Sequence, residues 1–89
     1  MYKLVFREVP HKELKKDTKR DAKRFEIIDK KIKQILENPY QFKPLRAPMQ
    51  HLRRVHVDKS FVIIYSIDEP QKTIIIEDYD HHDNIYKHY

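Results

Sequence analysis

The residues best suited to proton chemistry lie in one short segment, 78–86, where acids, histidines and tyrosines follow one another. It contains His81 and His82 side by side and comes soon after the apolar run 73–76. Histidine has an ordinary pKa of about 6.5, so it can accept or donate a proton near neutral pH. A buried strand ending in such groups would hold them rigidly at a surface, which makes the segment a candidate catalytic site.

A second group of candidates lies upstream, where Arg54 and His56 would project from one face of a predicted strand. Cleavage of RNA without a metal needs a base for the ribose 2′-hydroxyl, an acid for the leaving 5′-oxygen, and a cation for the charge on phosphorus. His56 and His82 could supply the acid and the base. The planar guanidinium of Arg54 suits a phosphate, and Tyr86 completes the set.

Ordinary structural roles for the same residues stay open. An outward histidine such as His56 is most often plain surface, and Tyr86 could equally cover the core. His81 and His82, flanked by Asp80 and Asp83, could cap a turn or form a chance metal site of low affinity. Their spacing is not of a recognised zinc-binding type, so the expectation is no metal and no other cofactor.

Composition limits the classes of function that remain. A chain of 89 residues allows one domain, predicted to span 1–89. Nineteen Lys and Arg against 14 Asp and Glu give a net charge of +5, which favours a polyanion or an acidic protein as partner. Without cysteine there is no disulfide, and without glycine there is no Gly-rich phosphate loop. With neither a signal peptide nor an apolar run of about 20 residues, a cytoplasmic protein without membrane contact is expected.

Apolar periodicity predicts the elements that position these groups. Strand patterns occupy 2–7, 52–58, 61–67 and 73–78. Pro10 fits the first turn of a helix that runs to about Arg20, and a second helix ends at Asn38–Pro39. The apolar stripe of that second helix recurs at three- and four-residue steps: Phe25, Ile28, Ile32, Ile35 and Leu36.

The order strand, helix, helix and three strands predicts an α+β fold. Two N-terminal helices would pack on one face of a small, four-stranded, mainly antiparallel sheet, because short connections make the last three strands a meander. The opposite, concave face would carry Arg54 and His56. These residues could meet His82 only if the C-terminal tail folds back across the sheet.

In their order and spacing, these segments resemble the RelE/ParE superfamily of toxins from type II toxin–antitoxin pairs. The resemblance covers nearly the whole chain. The segments that carry it are Leu36-Glu37-Asn38-Pro39, Lys43-Pro44-Leu45, Leu52-Arg53-Arg54-Val55-His56-Val57, Phe61-Val62-Ile63-Ile64-Tyr65-Ser66-Ile67-Asp68 and His81-His82-Asp83-Asn84-Ile85-Tyr86.

Two departures from the superfamily pattern narrow the resemblance. Val62 stands where many members carry an arginine, and His81-His82 stands where His-Arg is usual. The chain is more similar to the YafQ-like branch, whose chemistry uses histidines. His56 matches that branch on the strand before the central strand, and His82 matches a histidine four residues before a terminal aromatic.

The resemblance implies a RelE-like fold with a short C-terminal helix or tail, and a metal-independent endoribonuclease that cuts translated mRNA at the ribosome. A cognate antitoxin would wrap the toxin with an acidic or amphipathic segment, as a dimer or a heterotetramer. His56 and His82 would share the acid–base work, Arg54 would hold the scissile phosphate and Tyr86 would orient the nucleotide. The residues expected to bind RNA are Lys43, Arg46, Arg53 and His81.

Other functions remain open because the arginine at position 62 is missing. One is a ParE-like toxin that binds gyrase without cutting nucleic acid, or a degenerate member that retains only antitoxin binding. Another is a plain RNA-binding module, which would bind RNA in a salt-dependent way and leave it uncut.

Overall fold

The chain forms four strands and three helices, described over residues 1–87 and 89 by a computed structural model. In chain order they are β1 (Lys3–Phe6), α1 (Glu8–Arg20), α2 (Ala22–Glu37), β2 (Leu52–Val57), β3 (Phe61–Asp68), β4 (Thr73–His81) and α3 (His82–Ile85). This confirms the predicted α+β order and the short C-terminal helix. None of the helices in the described ranges combines the length and apolarity that crossing a bilayer requires.

The sheet has the strand order β1-β4-β3-β2 and is mainly antiparallel, as predicted. β2, β3 and β4 form an antiparallel meander, whereas β1 runs parallel to β4. Parallel neighbours need a long crossover connection, and here that connection contains both long helices. The two inner strands, β3 and β4, are thus paired on both edges.

The two long helices cover one face of the sheet. Ile28 and Ile35 of the predicted α2 stripe are buried there, and α2 ends at Glu37 just before Asn38–Pro39. Phe25 was predicted to belong to this stripe, but it is 54% exposed. Phe25 lies on the first turn of α2, where it lines a surface groove with Phe6 instead of packing under the sheet.

Alternation along β2 divides its side chains between two layers. Val55 and Val57 face the helices and are buried, whereas Arg54 and His56 face the other way, as predicted. The helix-facing core is made of aliphatic and aromatic side chains from both helices and three strands: Leu14, Ile28, Ile35, Val55, Val57, Ile63, Tyr65, Ile74, Ile76 and Tyr79.

The face that carries Arg54 and His56 is partly covered. A second cluster of buried side chains covers part of it: Leu45, Leu52, Val62, Ile64 and Ile85. Leu45 comes from the loop before β2, and Ile85 comes from α3. The C-terminal tail therefore does fold back across the sheet.

Arg24 of α2 ties the helices to the strands. Its guanidinium lies 3.1 Å from Asp17 of α1 and 3.0 Å from Asp58 after β2, and it sits 4.3 Å above the ring of Phe61. The hydroxyl of Tyr79 donates to the same Asp17 carboxylate. Burial and this hydrogen bond raise the pKa of Tyr79. The contacts fix the end of the sheet from which α3 departs.

Because of Tyr65, we expect the folded protein to lose stability at alkaline pH. It is fully buried, its hydroxyl donates to the Pro39 carbonyl at 2.7 Å, and burial raises its pKa to about 12. Because the fold favours the neutral phenol, this stabilisation is complete below the unfolded pKa of about 10 and is lost as pH rises towards 12. Tyr65→Phe should cost about 1–2 kcal/mol of unfolding free energy near neutral pH.

Urea unfolding at neutral and alkaline pH measures this effect. The variant should also lose part of the decline in stability above a pH of about 10. Tyr40→Phe, at an exposed position, is the matched control. If the unfolding free energy of Tyr65→Phe fell at alkaline pH as much as that of wild type, Tyr65 would not be the cause of the decline.

Candidate functional site

Arg54 is at the centre of the polar part of the outer sheet face, meaning the face opposite the helices. It pairs with Ile64 of β3, and its guanidinium lies 5.8 Å from the centre of the Tyr86 ring. Arg46 and Tyr89 complete a recess of about 320 Å³ beside these two side chains. The structure thus brings three of the predicted site residues together: Arg54, Tyr86 and Arg46.

A second recess lies on the other side of Arg54 and is more strongly basic. It has a volume of about 410 Å³ and is lined by Lys31, Lys43, Arg54 and His56, together with Gln41, Phe42 and Val55. Arg54 borders both recesses, so basic side chains follow one another around the β2 edge of the sheet, from the outer face towards Lys31 on the helix side. A track of this kind can hold the successive phosphates of a single strand.

Arg53 lies on the opposite side of β2 from Arg54. Its guanidinium donates to the carbonyl oxygen of Phe42 at 2.6 Å and to that of Tyr40 at 3.3 Å. It also sits 5.2 Å from the centre of the Tyr40 ring. Arg53 thus fastens the 40–43 loop, and its predicted contact with RNA stays a prediction.

The turn from β4 into α3 presents the two adjacent histidines. The backbone N–H of His82 donates to the Ser60 carbonyl at 2.8 Å, which fixes the turn against the start of β3. His81 Nδ1 accepts a 3.2 Å hydrogen bond from the backbone N–H of Asp83 and so caps α3. Ile85, at 0% exposure, then anchors the short helix in the second cluster.

Asp83 gives His82 a carboxylate neighbour. Asp83 Oδ1 lies 3.0 Å from His82 Nδ1, and its other oxygen lies 3.6 Å from His81 Nδ1. The two imidazoles are stacked with centroids 4.9 Å apart, and His81 also packs edge-on against Phe61 at 5.7 Å. A carboxylate in this place can orient the His82 ring.

His56 and His82 lie at the same end of the sheet, on opposite edges of β3. His56 pairs with Val62, and His82 bonds to Ser60 two residues away. Two strand spacings across and two residues along β3 separate their backbones by roughly 12 Å. Within residues 1–87 and 89 no hydrogen bond or ring contact joins the two histidines directly. A substrate between them would have to connect them.

Three further residues of the site escaped the sequence analysis. In the sequence, nothing distinguishes Lys31 from the other lysines of α2. Only the fold shows that it lines the basic recess. Asp83 was read only as an acid flanking the histidines. Tyr89 donates to Asp78 at 3.3 Å, and burial together with that carboxylate raises its pKa to about 12. Its position near the end of the chain gave no signal for this contact.

Comparison with known proteins defines the class. The family profile described as "ParE toxin of type II toxin-antitoxin system, parDE" matches residues 10–86, and the chain belongs to this family of the RelE/ParE superfamily. A protein of Methanocaldococcus jannaschii named "Putative toxin RelE4" is 47% identical over 98% of this chain and 93% of its own length. A protein of Methanosarcina mazei is 50% identical over 97% of this chain and 100% of its own length.

Solved structures with low sequence identity share the fold. The YoeB/ParE toxin from Agrobacterium tumefaciens has a TM-score of 0.80 at 17% identity, covering 90% of this chain and 98% of that chain. YafQ from Escherichia coli has a TM-score of 0.74 at 17% identity, covering 97% and 99%. The E. coli DinJ-YafQ complex gives a TM-score of 0.67 at 20% identity, covering 97% and 99%. These likenesses confirm the predicted RelE-like fold.

Proposed function

We propose that this type II toxin is a metal-independent mRNA endoribonuclease that acts in the cytoplasm on mRNA being translated at the ribosome. The observation that carries the proposal is the position of Arg54. It lies between the Tyr86 ring and a basic recess that includes His56. His82, with its carboxylate neighbour, stands at the same end of the sheet. A phosphate at Arg54 would have the Tyr86 ring on one side and the recess with the His56 imidazole on the other.

The reaction that this arrangement suits is attack by a ribose 2′-oxygen on the adjacent phosphorus. One of His56 and His82 accepts the 2′-hydroxyl proton, the new P–O bond forms, and the P–O5′ bond breaks. The other histidine donates a proton to the departing 5′-oxygen, which leaves a cyclic phosphate on the upstream fragment. Arg54 stabilises the charge that develops on the phosphoryl oxygens.

Supporting groups have narrower roles. The ring of Tyr86 offers a surface on which a base could stack. Lys43 and Arg46 are exposed at the two recesses, where they would contact neighbouring phosphates. His81 would touch RNA beside His82. Asp83 would hold His82 in a productive orientation.

A cognate antitoxin is the proposed protein partner. The net charge of +5 favours an acidic segment, and YafQ, which shares the fold, is known in a complex with DinJ. Dimeric or heterotetrameric assembly with the antitoxin stays a prediction.

A specific observation also favours the non-nucleolytic alternative. Val62, which stands where many superfamily members carry an arginine, is 0% exposed within the second cluster. A valine there offers no positive charge to a phosphate. A toxin that cannot cleave RNA but binds gyrase as ParE does would have the same fold.

Primer extension on cellular mRNA after toxin induction separates the two functions. The nuclease predicts new 5′ ends within translated codons and arrest of protein synthesis before any effect on replication. Intact mRNA together with stalled replication would instead support gyrase poisoning. Repeating the assay with purified RNA and no ribosomes would show whether the ribosome is required.

Arg54→Ala should lower RNA cleavage by about a hundredfold, since removing one preformed donor to a developing charge typically has that effect. In the described part of the chain no carboxylate forms an ion pair with Arg54, so the variant should fold normally. Single-turnover cleavage and thermal unfolding measure the two properties. Arg20→Ala removes the same charge from exposed α1 and should leave cleavage near wild type. If both variants lost RNA cleavage equally, Arg54 would contribute only through its positive charge and not through a specific contact with the phosphate.

A further inference from the structure

The start of α3 holds a carboxylate between two stacked imidazoles, an arrangement that RNA cleavage alone does not require. Each oxygen of Asp83 faces a different ring, that of His81 or that of His82. We infer that these three side chains form a binding site for a transition-metal dication of the Zn²⁺ class. The ion would be an inhibitor of the toxin and not its cofactor.

The distances suit a single ion. Zinc binds imidazole nitrogen and carboxylate oxygen at about 2.0–2.2 Å, so neighbouring ligands in a tetrahedron lie about 3.3–3.5 Å apart. Here His82 Nδ1 lies 3.0 Å and His81 Nδ1 lies 3.6 Å from the Asp83 oxygens. One ligand atom from each of the three residues lies within 4.8 Å of the others. Small side-chain rotations would bring all three to bonding distance.

The protonation pattern also suits a metal. Within residues 1–87 and 89, the one hydrogen bond that either imidazole makes is accepted by His81 Nδ1 from the Asp83 backbone N–H. An accepting nitrogen carries no proton, as a metal ligand must not, and the ion would take the place of the Asp83 N–H at its one lone pair. Two imidazoles with one carboxylate favour Zn²⁺, Cu²⁺ or Ni²⁺ over Mg²⁺ or Ca²⁺. Three protein ligands leave a further position for water or a phosphate oxygen.

The surroundings hold the three ligands in place. The backbone N–H of His82 donates to the Ser60 carbonyl at 2.8 Å, and the His81 ring packs edge-on against Phe61 at 5.7 Å. The Asp80 carboxylate accepts a hydrogen bond from the backbone N–H of His81 at 2.7 Å. It adds negative charge beside the cluster, which offsets the positive net charge of the chain for an incoming cation.

The inhibitory consequence rests on the proposed nuclease function. A metal bonded to His82 occupies the nitrogen lone pair and fixes the ring, so the imidazole can no longer exchange a proton with RNA. Zinc-class ions would then act as reversible inhibitors of an enzyme that needs no metal. Chelation would restore cleavage.

Calorimetric titration of Zn²⁺ into the untagged, full-length chain tests the site. Wild type should bind one equivalent, and His81→Asn and Asp83→Asn should each weaken binding at least about tenfold. Asparagine at position 81 keeps a good helix N-cap, so the first variant should retain α3. His11→Ala removes an exposed histidine from α1 and should bind as wild type does.

Binding of wild-type strength in both His81→Asn and Asp83→Asn, or no stoichiometric binding by wild type, would overturn the metal site. RNA cleavage measured with Zn²⁺ and again after EDTA tests the inhibition. The rate should fall as the site fills and return on chelation, and an unchanged rate at saturation would refute inhibition. Should RNA stay uncut in EDTA as well, the nuclease proposal would fail, and calorimetry would still decide the metal site.

Discussion

His82→Ala should lower the rate of RNA cleavage by about a thousandfold, within the range typical of losing one positioned acid or base. Growth arrest on expression should disappear. His82 is the predicted acid–base group with a carboxylate neighbour, because Asp83 Oδ1 lies 3.0 Å from its Nδ1. A neutral methyl group in its place can neither accept nor donate the proton. Single-turnover cleavage of RNA by purified protein measures the loss directly.

The substitution should spare the fold, so lost activity can be attributed to chemistry. The His82 side chain is 42% exposed, and the bond that fixes the turn comes from its backbone N–H to Ser60, which alanine retains. Thermal unfolding and antitoxin binding of His82→Ala should therefore match wild type. His11→Ala, on the helix side of the molecule, is the matched control and should keep full activity. Growth arrest of wild-type strength in His82→Ala would remove His82 from the mechanism.

Local side-chain periodicity was enough to predict the layers of the fold. The two-residue alternation of β2 correctly placed Val55 and Val57 under the helices and Arg54 and His56 on the other face. Periodicity has no information on where an element ends relative to its neighbours. Phe25 shows this limit, because it continues the α2 stripe yet lines a surface groove and is 54% exposed.

The candidate site depends on contacts that local sequence does not encode. β4 continues to His81, three residues beyond the predicted end at Asp78, with a register shift opposite Ile64/Tyr65. This extra length determines where His82 emerges. Two adjacent arginines also have different surroundings: Arg53 donates to carbonyl groups of the 40–43 loop, whereas Arg54 lies beside Tyr86 on the other side of β2.

Ile85→Ala should impair both stability and RNA cleavage. Ile85 is 0% exposed and packs with Leu52, Val62 and Ile64 on the outer face of the sheet. Truncating a fully buried isoleucine typically costs about 2–5 kcal/mol, from lost burial and the cavity left behind. Because Ile85 is the residue of α3 buried in this cluster, its loss should also free the turn that presents His82 and Tyr86. Urea unfolding and cleavage per folded molecule measure the two effects.

Ile35→Ala is the control that separates them. Ile35 is equally buried, but it belongs to the helix-facing core, a different cluster from the one that contains Ile85. The two variants should lose similar unfolding free energy, yet at temperatures where both are folded only Ile85→Ala should cleave RNA slowly. Equal activity per folded molecule in the two variants would mean that docking of α3 is not needed for catalysis. The proposed roles of His82 and Tyr86 would then have to be reassigned, since both depend on where that short helix lies.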